Sequence, residues 1–392
     1  MQYWVTIHRW LGLTASAFLL VAALTGCLLC FTSPIDHALN RDLFDHVPVS
    51  NAPAPMTVVQ AFQRDHPAIR VIEFPVNVPN DRNIVVKVTP APGAPHLSYR
   101  ELFLDRTDGH MVGGRTTEPS WDRRGFMAGV QMLHENLFGG TIGRWLMGVV
   151  AVAWLIGAVV GVYLTWPQRR PFWKNWKRAW RFRFSSAIPR LLLDLHRSSG
   201  LWLLIGILPL ALTSVCLNFY SEVYKPMVDR LTPSAPTMFD RNPPYPGGNR
   251  MPKIDFARAG ALAERYAARA GERWRPATMV YLPQWNAYGL AFTHNGVLNY
   301  RGYGPPYYYV DGDSGAFLEV ENPYGGSLRL KLIRLLYPLH SGHIIGWLGS
   351  AIIFLLGIAT VQMIVTGLYV WWKKRKSRVA AKRAATKRKA HA

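Results

Sequence analysis

The sequence predicts an α-helical membrane protein of four transmembrane helices, arranged as a tandem (2+2) parallel repeat that carries two small α+β domains outside the membrane. Three observations lead there. Four stretches of the 392 residues are nearly free of charge and long enough to cross a bilayer, motifs recur at a fixed offset, and Lys and Arg gather beside alternate stretches.

The apolar stretches run over 10–31, 145–166, 201–220 and 344–372. About 20 helical residues cross roughly 30 Å of hydrocarbon, so each is long enough. The formal net charge of +22 is concentrated in two segments. One holds Arg169, Arg170, Lys174, Lys177, Arg178, Arg181, Arg183 and Arg190, with no acid before Asp194; the other, 373–389, holds ten Lys and Arg and no acid. Cations beside a span favour the cytoplasmic side, which places both termini inside and the two long connections outside. Orientation in a bilayer accounts for the charge, and no nucleic-acid partner is needed.

The chain therefore divides into helix 1–31, an external domain 32–130, helix 131–166 with a histidine at its outer edge, and a basic cytoplasmic loop 167–194. The same order then repeats as helix 195–220, external domain 221–338, helix 339–372 and a basic cytoplasmic tail 373–392. A multi-pass membrane protein with both termini on the cytoplasmic side is the expected setting.

The duplication is visible in particular residues. Ile7-His8-Arg9-Trp10-Leu11-Gly12-Leu13 resembles Leu195-His196-Arg197-Ser198-Ser199-Gly200-Leu201, and each copy continues to a Leu-Thr, Leu24-Thr25 and Leu212-Thr213. Leu133-His134 matches Leu339-His340, and Gly161-Val162-Tyr163 matches Gly367-Leu368-Tyr369. Asp105/Asp311, His134/His340 and Tyr163/Tyr369 share one offset of 206 residues. Two halves of the same orientation relate by an axis along the membrane normal, so equivalent residues lie at equal depth and can face each other.

Outside the membrane, helices are expected over 56–66 and 254–270, and strands over 84–88, 99–104, 307–310 and 316–320. Asp105-x-x-x-Gly109 and Asp311-x-x-x-Gly315 read as hairpin turns whose glycines supply positive φ, with too few ligands for calcium. Cys27, Cys30 and Cys216 all lie in apolar stretches, so no disulfide framework is indicated. Cys27-x-x-Cys30 is followed by Phe31 and lacks the histidine of a covalent haem site, while Leu24-Thr25-Gly26-Cys27 matches a lipoprotein cleavage site inside a stretch whose counterpart lies deep in the chain. Tyr281, Trp285, Tyr288, Tyr303, Tyr307, Tyr308, Tyr309 and Tyr324 crowd the second external unit and read as core or interfacial belt.

Ionisable groups at the edges of spans point to function. His8 and His196 stand at the inner ends of the first and third stretches, and His134 and His340 at the outer ends of the second and fourth. Neutral imidazole is a common ligand of haem iron, and two histidines from facing helices at one depth can bind both faces of one haem. The repeat supplies two such pairs, His8/His196 and His134/His340. His343, one turn beyond His340, is an alternative outer ligand. Irons at opposite faces would stand about 30 Å apart if the helices were straight. No nucleophile–base pair, phosphate-binding glycine loop or zinc spacing occurs, and without a GxGxxG fingerprint the chain offers no self-contained nicotinamide or flavin site. The catalytic residues are not legible.

His8-Arg9-Trp10-Leu11-Gly12-Leu13, its echo at His196 and the paired Asp-x-x-x-Gly hairpins resemble the PepSY-associated transmembrane-helix family, with external units similar to PepSY domains. Within it, the layout is similar to inner-membrane ferric-siderophore reductases of the FoxB type. The resemblance implies a b-type protein with two haems, ligated by His8, His196, His134 and His340, that reduces ferric siderophore in the periplasm. It further implies an electron donor that is a cytoplasmic reductase or a quinol. A PepSY membrane module without redox chemistry, serving signalling, protease regulation or iron-chelate transport, is the alternative.

Overall fold

The computed structural model describes residues 1–184 and 187–390. Two residues of the basic loop, Ser185 and Ser186, and the last two of the basic tail lie outside the described residues. From the N-terminus, α1 (Gln2–Leu29) leads through α2 (Thr32–Leu39) and α3 (Arg41–Phe44) to α4 (Pro55–Asp65). Strands β1 (Ile69–Pro75), β2 (Ile84–Pro90), β3 (Glu101–Leu104) and β4 (Met111–Arg115) follow, then α5 (Phe126–Asn136) and α6 (Gly140–Leu164). The basic connection contains α7 (Phe172–Trp176). The second half runs α8 (Ile188–Trp202), α9 (Leu204–Asn218), α10 (Lys225–Leu231), α11 (Phe256–Arg269), β5 (Arg275–Leu282), β6 (Ala287–Thr293), β7 (Tyr307–Asp311), β8 (Phe317–Glu321), α12 (Leu328–Ser341) and α13 (Trp347–Ala390).

Among the described residues, three helices are long and apolar enough to cross a membrane: α1, α6 and the Trp347–Ser377 part of α13. The pair α8–α9 makes a fourth if it counts as one span, but it is bent by 72°. The single helix expected over 195–220 is thus broken in two. Leu203 leaves the helical path (φ −92°, ψ 0°), between Ser198-Ser199-Gly200 on one side and Pro209 on the other. Small polar residues, glycine and a proline that lacks an N–H are the usual causes of such breaks. Helix α1 packs between α6 and α13, α9 packs on α6, and α8 on α13, so α1 lies diagonally opposite α8–α9. Glycines permit the close approaches: a Cβ at Gly148 would strike the Phe219 ring, and one at Gly206 would stand 2.7 Å from Leu356 Cδ1.

The two units expected outside the membrane do not stand apart. All eight strands form one antiparallel sheet in the order β4-β3-β2-β1-β5-β6-β7-β8. The halves join where Glu73, Phe74 and Pro75 of β1 pair with Val280, Met279 and Thr278 of β5. Helices α4 and α11 cover the sheet, and one core of buried residues draws on both halves, including Val59, Phe62, Phe74 and Leu104 with Ala259, Met279, Tyr288 and Val310. Both expected hairpins form. Gly109 (φ 78°) and Gly315 (φ 72°) turn the chain under a helix, where a side chain would strike Val58 and Leu262 respectively. Asp105 and Asp311 accept hydrogen bonds from Thr107 and Ser314 in these turns, which is their structural employment.

Arginines fasten the sheet to α2 in the first half and to α12 in the second. Arg115 at the end of β4 bridges Glu101 and, in a two-pronged contact, Asp36 of α2. On the other side Arg334 of α12 pairs with Glu321 of β8, and Arg329 of α12 holds both Asp229 and Asp240 at 2.6 Å. Burial alone would raise the Asp240 carboxyl, but Arg329 and the bonds from Thr237 outweigh it and hold it at about 2.

Candidate functional site

Four of the histidines singled out by sequence meet in two pairs. His8 on α1 and His196 on α8 bring their ring centroids to 6.2 Å, with planes inclined at 70°. His134 on α5 and His340 on α12 stand at 6.3 Å and 56°. The outer two are not carried by the membrane-crossing helices. Helix α5 ends at Leu137 and Phe138, both with positive φ, before α6 begins, and α12 ends at Gly342 (φ 79°) before α13. Each short helix folds back against a span, α5 on α1 and α12 on α9.

This folding back changes the depth of the outer pair. His134 docks against Ala22, Thr25 and Gly26 of α1, inside the end of that helix. Measured along α1, the seat at Ala22 lies about 21 Å from His8 at 1.5 Å per residue. The two pairs are therefore closer than the 30 Å expected of residues at opposite faces.

In every ring the Nδ1 nitrogen is anchored. His8 Nδ1 lies 3.0 Å from the Gly157 carbonyl, His196 Nδ1 2.9 Å from that of Met363, and His134 Nδ1 3.0 Å from that of Ala22. A carbonyl can only accept, so in these rings Nδ1 carries the proton. Thr213 Oγ1 donates to the Pro209 and Leu210 carbonyls and accepts from His340 Nδ1 at 3.1 Å. The neutral form then leaves Nε2 with a free lone pair, and Nε2 of none of the four has a hydrogen-bond partner among the described residues.

Glycines seat three of the rings. A Cβ at Gly161 would come within 3.1 Å of His8 Cε1, at Gly367 within 3.0 Å of His196 Cε1, and at Gly26 within 3.2 Å of His134 Cε1. Threonines flank them: Thr25 Oγ1 lies 3.0 Å from His134 Nδ1, and Thr366 Oγ1 3.4 Å from His196 Nδ1. Thr25, Thr213, Gly161 and Gly367 were visible in the sequence as repeat matches. Their role was not, because it depends on which helix packs against which.

This donor set suits a metal held between opposed imidazoles. Two such ligands on opposite sides of one ion, each about 2 Å from it, keep their ring centroids about 6 Å apart, as both pairs do. Nδ1 anchored to an acceptor, with Nε2 free, is the arrangement that orients a metal-binding histidine and raises its basicity. His343 is placed differently. Its ring stacks on Tyr337 at 6.1 Å, and Nδ1 lies 2.6 Å from Ser341 Oγ, so His340 and not His343 faces His134.

Residues 5–374 match the family described as PepSY-associated TM region. The chain belongs to this family. No curated protein matches it. Membership of the PepSY-associated TM family agrees with the apolar helices, and the chain is a membrane protein.

The other sequence candidates take structural places. Tyr281, Tyr288, Tyr308 and Tyr309 are buried in the sheet core, whereas Tyr324 is exposed. Cys27 lies in the middle of packed helices, with its Sγ against Gly357 and 3.5 Å from the Phe354 carbonyl. All three cysteines are free. Among the described residues, Asp105, Asp108 and His110 approach closely enough to share an ion, but the turn already engages their polar atoms.

Proposed function

We propose that this protein is a transmembrane electron conduit that binds two b-type haems and reduces a ferric chelate of the siderophore class. The single observation that carries the reading is the double pairing: two opposed imidazole pairs, each with Nδ1 anchored and Nε2 free, on diagonal elements of one bundle. His8 and His196 would hold one haem, His134 and His340 the other. When bound, haem supplies a site that gains and loses single electrons at a potential set by its ligands and surroundings.

In this reading the residues do the positioning. The carbonyls of Gly157, Met363 and Ala22 and the hydroxyl of Thr213 fix the tautomer of each ring, and the apolar helices exclude water around it. The basic ends of the spans face the cytoplasm of a bacterium and the sheet faces the periplasm, since clustered Arg and Lys remain on the inner side. A quinol or a reductase at the cytoplasmic face gives up one electron, and ferric iron in a chelate at the outer face takes it and becomes ferrous. Ferrous iron binds hydroxamate-type oxygen donors less tightly, so the metal is released. The recurrent His8/His196 and His134/His340 motifs and the mirrored strand order of the sheet support duplication of one span–domain–span unit, with each four-stranded half as a PepSY-like domain.

The test is reconstitution into vesicles loaded with a reductant, with a ferric hydroxamate chelate outside and a ferrous-specific trap to report product. Protein-dependent ferrous formation supports the reading. Formation no faster than in empty vesicles, from protein carrying its full pigment, removes the reductase assignment and leaves a PepSY module without this redox role.

A further inference from the structure

Three of the four histidines share one seat, and the fourth does not. His8 bonds the carbonyl of Gly157, and the residue one turn on is Gly161; His196 bonds Met363, one turn before Gly367; His134 bonds Ala22, one turn before Gly26. The glycine lets the imidazole lie close enough to reach the preceding carbonyl, as the approaches of 3.0–3.2 Å to the missing Cβ show. The corresponding seat for His340 has Leu210 as the carbonyl, and the residue one turn on is Ser214. The Ser214 hydroxyl donates to that carbonyl at 2.8 Å, and Thr213 Oγ1 donates to it at 3.0 Å. His340 bonds only the Thr213 hydroxyl.

We propose that Ser214 is a positioning residue that makes the outer site the more oxidising of the two. This rests on the reading that the paired histidines hold haem iron. A carbonyl that accepts from Nδ1–H draws the proton away, makes the imidazole a stronger electron donor and favours ferric iron. An alcohol oxygen is a weaker hydrogen-bond acceptor than the amide carbonyl of a helix, so His340 is the weakest donor of the four. Both ligands of the inner site have carbonyl acceptors, whereas only one of the outer site does. The midpoint potential therefore rises from the inner site to the outer one, and an electron entering at the basic side runs downhill toward the sheet.

Spectroelectrochemical titration of the full-length protein in nanodiscs tests this, with Ser214→Gly and Ser214→Ala compared with wild type. Wild type should titrate in two resolved steps. Opening the seat in S214G gives His340 a carbonyl and should move the higher midpoint downward by a tenfold change in the oxidised-to-reduced ratio, which is about 59 mV for one electron. S214A keeps the Cβ in the seat and should stay within a third of that shift. Gly26→Ser, which crowds His134 in the same way, should move the same midpoint upward. Two steps that S214G leaves unmoved, or a shift confined to the lower midpoint, overturn the proposal while leaving haem binding intact. Protein without pigment fails the underlying reading instead, so the two failures are distinguishable.

Discussion

Replacing Gly367 by alanine perturbs the inner site through a single methyl group. That carbon would stand 3.0 Å from His196 Cε1 and 3.2 Å from Nδ1, inside the contact distance of about 3.5 Å for nonbonded carbons. The ring must withdraw by several tenths of an ångström. Its bond to the Met363 carbonyl, now 2.9 Å, then passes the range of about 2.7–3.2 Å in which N–H···O bonds are effective. Such a bond contributes about 1 kcal/mol net, and loss of the group that orients a metal-binding histidine typically costs roughly 10- to 100-fold in affinity. G367A is expected to weaken retention of one haem by a factor in that range and to leave the other unchanged. Gly12, beside which a Cβ would meet nothing within 4 Å, provides the control, and G12A should retain both. Titration of haem into the apoprotein, followed at the Soret band, reads both affinities. Two unchanged affinities in G367A would refute the reasoning that His196 is seated on this glycine to bind a metal.

Three further outcomes follow from the same geometry. His340→Ala should halve the haem-to-chain ratio and His343→Ala should not, because only His340 faces His134; equal losses in pigment assays would contradict the assignment. Asp240 is held at about 2 against an ordinary 3.8, so its stabilisation is present above pH 4 and is lost as pH falls toward 2, an effect that solvent screening at this exposed residue keeps to about 1 kcal/mol or less. In D240N the acid-unfolding curve, read by tryptophan fluorescence, should be flatter in that window, and an unchanged slope would count against the Arg329 link. Phe74 is fully buried where the two halves of the sheet join, and Phe74→Ala should cost about 3–5 kcal/mol. Limited proteolysis should then cut both halves together; cleavage confined to residues before α5 would show that the halves fold independently.

The apolar helices were legible because membrane crossing imposes length and composition directly. The turns at Asp105–Gly109 and Asp311–Gly315 were legible because their chemistry is local. Strands β1, β4, β5 and β6 were not. Strand β6 is buried along its whole length and shows no alternation, and β5 carries Pro276 near its start. The joining of β1 to β5 is a contact between distant segments with no local signature. In the candidate site, the histidines and their pairing followed from ionisable residues that recur in both halves in apolar surroundings, 188 residues apart for His8/His196 and 206 for His134/His340. Placing His134 and His340 on separate helices required knowing that Leu137, Phe138 and Gly342 break the chain, and choosing His340 over His343 required the stacking on Tyr337. Ser214 follows the Leu24-Thr25 and Leu212-Thr213 match at the position where the first half has Gly26, but the difference acquires meaning only with His340 bonded to Thr213.

The account depends on iron porphyrin between each pair of imidazoles, and the most direct measurement is the pigment stoichiometry and visible spectrum of the purified protein. Two haems per chain, with a Soret band and sharp α and β bands after dithionite reduction, are expected for four histidine ligands arranged as His8/His196 and His134/His340. Colourless protein that binds no haem on titration contradicts it.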